Sequence, residues 1–578
     1  MFDQFLKTYK VIGKDNRIKA FWLLTILLSI IILELLNFTL IIPILTILFD
    51  KESVENIKFI TYLDNFFGAD INSLIKLAII FLVLLIFKVL LLLFFEYKTQ
   101  KYNRQINVDM TIRAYSYFLN SPWEEILKIE HAYIMRIILS DIGTFVSEGI
   151  LKFIEIIKNS IFLTFILGYL LFFNLKITLI IMGVFIFFTV TIFMIFKKKL
   201  LQLSLTTAEF DKYRYKHISE SIMNLRDIKL IKNANFFLNT YKKNEEKYTK
   251  VYITSKILAK IPRFVLEIIL VTFAVFIAIF FELQNLEMNN YIPILGLYSF
   301  AILRLIPIFT VYNQSFQAIR QAKIQIHEAI LNAERFIKIF DQNKLKEKNK
   351  NLINIDFKND VKIKILDVDF YYDATKPIFN DLNLEINKDN TIYLEGVNGS
   401  GKSTFVDLIS GLLSPIKGKI KINDFDLSEI SDNWLKNVGY VSQTNFLLNS
   451  TIKENIIFGR DSINEKDINE VIKIVGLDKL IDSLPDGLNT NVGNLGSSFS
   501  GGQKQRISIA RALVAKPNII ILDEATNALD AATEEHFLNI INTIKKNRII
   551  LFIAHSKVIK NFCDIRIEIK NKKIEKIK

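Results

Sequence analysis

The stretch Gly396-Val397-Asn398-Gly399-Ser400-Gly401-Lys402-Ser403-Thr404 carries the spacing G-x-x-x-x-G-K-S. It lies between Ile392–Glu395, which reads as a strand, and Phe405–Leu413, which reads as a helix. Small residues let a backbone wrap a phosphate and aim its N–H groups inward. The dipole of the following helix favours the same anion. Lys402 supplies a point charge for β- and γ-phosphates, and the Ser403 hydroxyl is a ligand for magnesium. In a chain with 20 Gly among 578 residues, chance is a poor account of this match.

A second group of acids suits the same chemistry. Ile519-Ile520-Ile521-Leu522 is all apolar, as a parallel strand buried on both faces reads, and it ends in Asp523-Glu524. Ligands of open α/β sheets sit at such strand ends. Asp523 is placed to hold magnesium through water, and Glu524 to polarise an attacking water as general base. Acids often terminate strands, so this pair gains its meaning from the phosphate loop.

Further motifs carry a family resemblance. Phe499–Arg506, FSGGQKQR, resembles the signature of ATP-binding-cassette (ABC) proteins, and the phosphate loop and acidic pair match the same family. Gln443, in VGYVSQ, matches the glutamine that links magnesium to the transmembrane domain; Asn527–Asp530, NALD, matches the D-loop. His555, in FIAHS, matches the switch histidine that contacts the γ-phosphate. Tyr372, in FYY, matches the aromatic that stacks on adenine, with Tyr371 as the competing candidate. Two departures stand out: Phe499 where the family usually has Leu, and Asn494 where exporters commonly carry an acid. The chain as a whole resembles a bacterial half-transporter of the exporter type. The resemblance implies a six-span α-helical membrane domain followed by an α/β P-loop nucleotide-binding domain, with ATP and Mg2+ as cofactors. It also implies a head-to-tail pair, each ATP lying between Gly396–Thr404 of one subunit and Ser500, Gly501, Gly502 and Gln503 of the other. With Glu524 and His555 both present, a homodimer hydrolyses at both sites; a heterodimer with a degenerate partner is the alternative.

The elements that must position these residues are legible in the hydropathy. Six apolar runs approach or exceed the length needed to cross a bilayer: Phe21–Phe49, Ile71–Phe95, Ile150–Phe173, Ile177–Phe196, Phe264–Leu283 and Tyr291–Tyr312. Glu155, Lys158 and Asn159 interrupt the third, so its membrane part begins nearer Ile161. The expected organisation is a transmembrane domain over 1–335, a linker over 336–355 and a cassette domain over 356–578. Lys7, Lys10, Lys14, Arg17 and Lys19 precede the first run without a small-residue cleavage site, which reads as a cytoplasmic N-terminus and not a removed signal. The segments 97–149 and 197–262, the latter opening Lys197-Lys198-Lys199, then project into the cytoplasm, and the resemblance to exporters implies coupling segments near Trp123–Glu130 and Ser219–Asp227. The outer segment 51–68 has Val54, Ile57, Ile60, Leu63 and Phe67 at helical spacing, as an interfacial amphipathic helix would.

Composition agrees. Hydrophobic residues make up 51% of the chain, 48 of them Phe, which excludes disorder and disfavours a soluble enzyme. One cysteine, Cys563, excludes a disulfide framework and a thiolate zinc site. The net charge of +14 suits nucleic acid or an anionic membrane face. The apolar runs decide for the membrane and against a soluble DNA-repair-type cassette.

Among the cations in or beside the apolar runs, Lys88, Arg263 and Arg304 stand out. A charge at membrane depth is costly and rarely faces lipid. Such cations line a cavity for an anionic head group, which Arg grips bidentately, or they snorkel or pair with Glu34 or Glu267. KIPRFVLE in the fifth span and LRLIP in the sixth resemble flippases of lipid-linked oligosaccharides, which implies that cargo class and the bacterial inner membrane. Export of a lipid A-like lipid or of a peptide is the alternative within transport, and a nucleotide-gated channel or regulator the alternative outside it.

Overall fold

The computed structural model describes residues 14–49, 73–173, 175–283, 288–322, 326, 327, 332, 361–373, 375–493, 496, 498–525, 531–554 and 556–577. The segment 51–68, the linker 336–355, Asn494, Asn527–Asp530 and His555 lie outside the described residues, as does the side chain of Arg263. Contacts divide the chain into two compact units. One holds Met1–Ser121 and Ile129–Leu345; the other holds Pro122–Lys128 and Lys346–Lys578.

In the first unit each of the six apolar runs falls on a long helix. These are α1 (Lys14–Phe49), α2 (Ser73–Asn120), α4 (Leu151–Phe173), α5 (Leu175–Met223), α7 (Ala234–Leu283) and α8 (Met288–Gln321). A short helix, α6 (Leu225–Ile231), follows α5, while α3 (Trp123–Ile126), which follows α2 in the chain, belongs to the second unit. At 1.5 Å per residue, a helix as long as α2, α5 or α7 runs to roughly 70–75 Å, against a hydrocarbon layer of about 30 Å. Each therefore continues well beyond a membrane. Within the described residues Ile18–Ile41, Leu74–Asn120 and Gly296–Ile319 are long and apolar enough to cross one. Two π-helical turns, Ile137–Asp141 and Phe145–Ile150, precede α4, and the sequence pattern did not announce them.

Polar groups inside this unit are mostly tied to one another. Glu34 on α1 is buried and takes Lys88 of α2 at 2.7 Å and Arg304 of α8 at 3.1 Å. The charges that interrupt the third run also find partners. Glu155 Oε2 accepts from Lys152 Nζ at 2.9 Å and from Ser315 Oγ at 3.1 Å, and Lys158 lies over the Phe95 ring. Thr178 bonds the Tyr298 hydroxyl at 2.7 Å, and Ser160 bonds that of Tyr312.

The second unit is built on two sheets. One is antiparallel, in the order β2 (Lys376–Asn387), β1 (Lys362–Asp373), β4 (Lys417–Ile422), β5 (Phe425–Asp426). The other has the order β10 (Lys573–Lys576), β9 (Ile565–Lys570), β3 (Thr391–Gly396), β8 (Ile549–Ile553), β7 (Ile519–Asp523), β6 (Val438–Val441). From β9 to β6 all neighbours pair parallel. The alternation of β7 explains its all-apolar text. Ile519 and Ile521 enter one buried cluster while Ile520 and Leu522 enter another, so both faces are covered. The first of those clusters is shared with Phe405, Val406, Leu408 and Ile409 of α9 (Lys402–Ser410), the helix that follows the phosphate loop.

Cys563 is buried, and burial, helped by the neighbouring Asp564 charge, pushes its thiol up to about 12. A thiolate is the reactive form. The folded protein at pH 8 should therefore resist maleimide labelling at this position and take up one equivalent only on unfolding, read by mass spectrometry.

Candidate active site

The parallel order of the second sheet brings four sequence-distant segments to one edge. β3 runs into Gly396–Ser403, β7 ends at Asp523, β6 ends two residues before Gln443, and β8 ends two residues before His555. Parallel strands have their C-terminal ends on the same side, where open α/β sheets hold ligands.

Glycine is required in the loop for conformational and spatial reasons. Gly399 has φ +80 and Gly401 has φ +105, the left-handed region that side chains resist. A Cβ on Gly401 would lie 2.8 Å from Ile378 Cγ2. Lys402 opens α9 and its ammonium donates to the Gly396 carbonyl at 2.7 Å, which holds it folded over the loop. Ser403 is exposed at the helix start, while Thr404 is buried. The Ser400 hydroxyl is buried in the loop and has no hydrogen-bond partner among the described residues. An orphan hydroxyl, a left-handed glycine turn and a helix N-terminus together fit a phosphate acceptor. Val397, Asn398 and Gly399 are exposed at the tip of the loop.

The acids meet their partners across strands. Tyr440 stands opposite Ile521 in the β6–β7 register, on the face that Asp523 shares, and its hydroxyl donates to Asp523 Oδ2 at 3.1 Å. Burial raises the Asp523 carboxyl above its ordinary range, the Glu524 charge adds to this, and the Tyr440 hydroxyl and the Lys402 charge oppose it. Glu524 has φ +51, a strained backbone for a residue with a side chain, and its N–H donates to the Ile553 carbonyl at 2.8 Å. Gln443 Nε2 donates to Glu524 Oε2 at 2.7 Å. The oxygens of Asp523, Ser403 and the Gln443 amide are hard ligands of the kind magnesium takes. The donor set therefore fits the metal.

Tyr372, near the end of β1, is exposed, and its hydroxyl reaches Thr404 Oγ1 at 3.3 Å. Its ring meets Phe370 edge-on at 5.1 Å. This puts an open aromatic face beside the helix that follows the phosphate loop. Ser500 caps the helix Gly501–Leu513 in a capping box. Its Oγ accepts from the Gln503 N–H at 3.4 Å, and its own N–H donates to Gln503 Oε1 at 2.9 Å. Gly501 is exposed at that N-terminus, while Phe499 is buried in the core, so the apolar swap at that position is accommodated. Among the described residues no hydrogen bond joins Ser500–Gln503 to Gly396–Thr404.

Sequence reading missed two features. Tyr440 sits three residues before Gln443, and its contact with Asp523 shows only in strand register. Asn455 is fully buried. It accepts from the Leu448 N–H and from Arg511 Nη2, and donates to the carbonyls of Leu448 and Thr451. Arg511 also donates to the Phe446 carbonyl at 2.9 Å. These bonds tie the loop after Gln443 to the signature helix. The segment Pro122–Lys128 overlaps the stretch singled out in the sequence near Trp123–Glu130. It groups with this unit, the Trp123 indole donates to the Asp407 carboxylate, and the Ser414 N–H reaches Glu124 Oε1 at 3.4 Å.

Comparison with known proteins follows the same division. Residues 22–304 match the family described as ABC transporter transmembrane region, and residues 379–527 match that described as ABC transporter. An export ATP-binding/permease protein of Rickettsia felis is 29% identical over 498 residues, covering 84% of this chain and 82% of that protein. One of Rickettsia typhi is 40% identical over 234 residues, and there the chain spans only 40% of the relative's length. A solved structure, described as a bacterial Atm1-family ABC exporter with ATP bound, superposes with a TM-score of 0.74 over 96% of this chain and 94% of the other, at 18% identity. At that identity the likeness establishes the exporter fold.

Gly401→Ala should weaken ATP binding at least about tenfold through clash and backbone strain, with little change in overall thermal stability. Fluorescent-nucleotide titration and a melting curve on the same sample check this.

Proposed function

Because this chain belongs to the ABC transporters, as an exporter-type half-transporter whose family couples ATP hydrolysis to transport, we propose that it flips an anionic lipid-linked substrate, of the lipid-linked oligosaccharide class, across the bacterial inner membrane. Its cassette faces the cytoplasm and its working form is a homodimer. The observation that carries the cargo class is a charge imbalance at membrane depth. Glu34 is one carboxylate shared by two cations, Lys88 and Arg304. The Lys88 side chain is 3% exposed, whereas that of Arg304 is 40% exposed. One positive charge is left over, and it sits on the guanidinium with open surface. Arg304 is therefore the contact for a phosphate-type head group, and Lys88 acts by holding Glu34. Arg263, on α7, is assigned to the same head group from the sequence alone.

In the cassette, the geometry supports the roles of Gly396–Thr404, Gln443, Asp523 and Glu524, and the sequence motif alone assigns that of His555. Gly396–Thr404 cradles the phosphates, Lys402 neutralises them, and Tyr372 stacks on the base. Ser403, Asp523 and Gln443 hold magnesium. ATP with Mg2+ supplies the cleavable phosphoryl bond when bound. Glu524 accepts the proton of the attacking water, held in place by the Gln443 amide. His555 steadies the γ-phosphate. The exposed N-terminus at Ser500–Gln503 closes the nucleotide site of a second copy, so ATP favours the paired cassettes and hydrolysis releases them.

Glu524→Gln should lower turnover at least about a hundredfold while nucleotide still binds. Unchanged hydrolysis would remove Glu524 from this role. Arg304→Ala should abolish flipping of a lipid-linked oligosaccharide in proteoliposomes and its stimulation of hydrolysis, with basal hydrolysis retained. Wild-type flipping by that variant would end the cation argument.

A further inference from the structure

The polar groups around Asp523 extend beyond what ATP hydrolysis has been assigned. Asp407 lies on α9, the helix that covers the Ile521 face of β7, and its charge acts on both Tyr440 and Asp523. Tyr440 hydrogen-bonds Asp523 Oδ2 at 3.1 Å. Asp407 in turn accepts the Trp123 indole N–H, and Glu124 accepts the Ser414 N–H at 3.4 Å. The segment 122–128 thus grips two points of one stretch, Asp407 within α9 and Ser414 shortly after it.

Three carboxylates, Asp407, Asp523 and Glu524, interact through their charges here, with Lys402 the cation acting on Asp523. Each cluster member needs a donor to stay ordered, because like charges repel and a half-buried carboxylate without a donor is costly. Tyr440 meets that need for Asp523, Gln443 for Glu524, and Trp123 for Asp407.

We infer that Tyr440 is a positioning residue for the magnesium-holding carboxylate. This rests on the assignment of Asp523 to magnesium made above. Tyr440 fixes the rotation of the Asp523 carboxylate through the 3.1 Å hydrogen bond, as groups behind metal ligands do.

The full-length chain in lipid nanodiscs tests this. Mn2+ stands in for magnesium, and its half-saturation is read by electron paramagnetic resonance with a non-hydrolysable ATP analogue present. Tyr440→Phe keeps the ring and should weaken Mn2+ binding about tenfold. Nucleotide binding in EDTA should match the wild type in this variant, which shows that the fold and the phosphate loop are intact. Wild-type Mn2+ binding by Tyr440→Phe overturns the positioning role. Asp523→Asn is run in parallel; if it leaves Mn2+ binding unmoved, the assignment of Asp523 fails, and the inference with it.

Discussion

Parallel pairing of β3, β8, β7 and β6 is the constraint on which the site depends. It forces four separate chain segments to finish on one edge. The phosphate loop, the acids, the glutamine and the residues after β8 meet there without any of them being close in sequence. Such a sheet survives only if both faces are covered, and here α9 and its neighbours cover one face while the helix Gly501–Leu513 contributes to the other. The strained Glu524 backbone is tolerated because its N–H is tied to β8 at Ile553. Strain, sheet order and chemistry are parts of one arrangement.

Charge inside the first unit obeys a different economy. A lone cation in hydrocarbon is expensive, so Lys88 is buried only because Glu34 meets it. Arg304 draws on the same carboxylate yet keeps much of its side chain open. The result is a cluster with one positive charge in excess of neutrality, held by α1, α2 and α8. The same rule governs Glu155, whose charge is met by Lys152 and Ser315. Glu34 and Glu155 each meet at least one partner from another helix.

Much of both regions was legible without coordinates. The six helices follow from apolar runs, since no other element satisfies its own backbone in lipid. The phosphate loop and signature were legible because their function depends on local backbone shape and helix ends, which a few adjacent residues dictate. The choice of Tyr372 over Tyr371 as the open aromatic needed burial, which differs between neighbours on a strand. The π-helical turns before α4 left no signature, because an inserted residue disturbs the period too briefly to be read.

Sequence by itself determined the chemistry available: a phosphate cradle, paired acids, a capped signature helix and apolar spans. Tertiary structure alone decided which groups act on one another. Glu34 lies more than fifty residues from Lys88, Asp407 far from Trp123, and Asn455 far from Arg511. Local motifs are encoded by neighbours along the chain, whereas these bonds depend on how strands register and helices pack, and that is settled only when the whole fold buries its apolar surface.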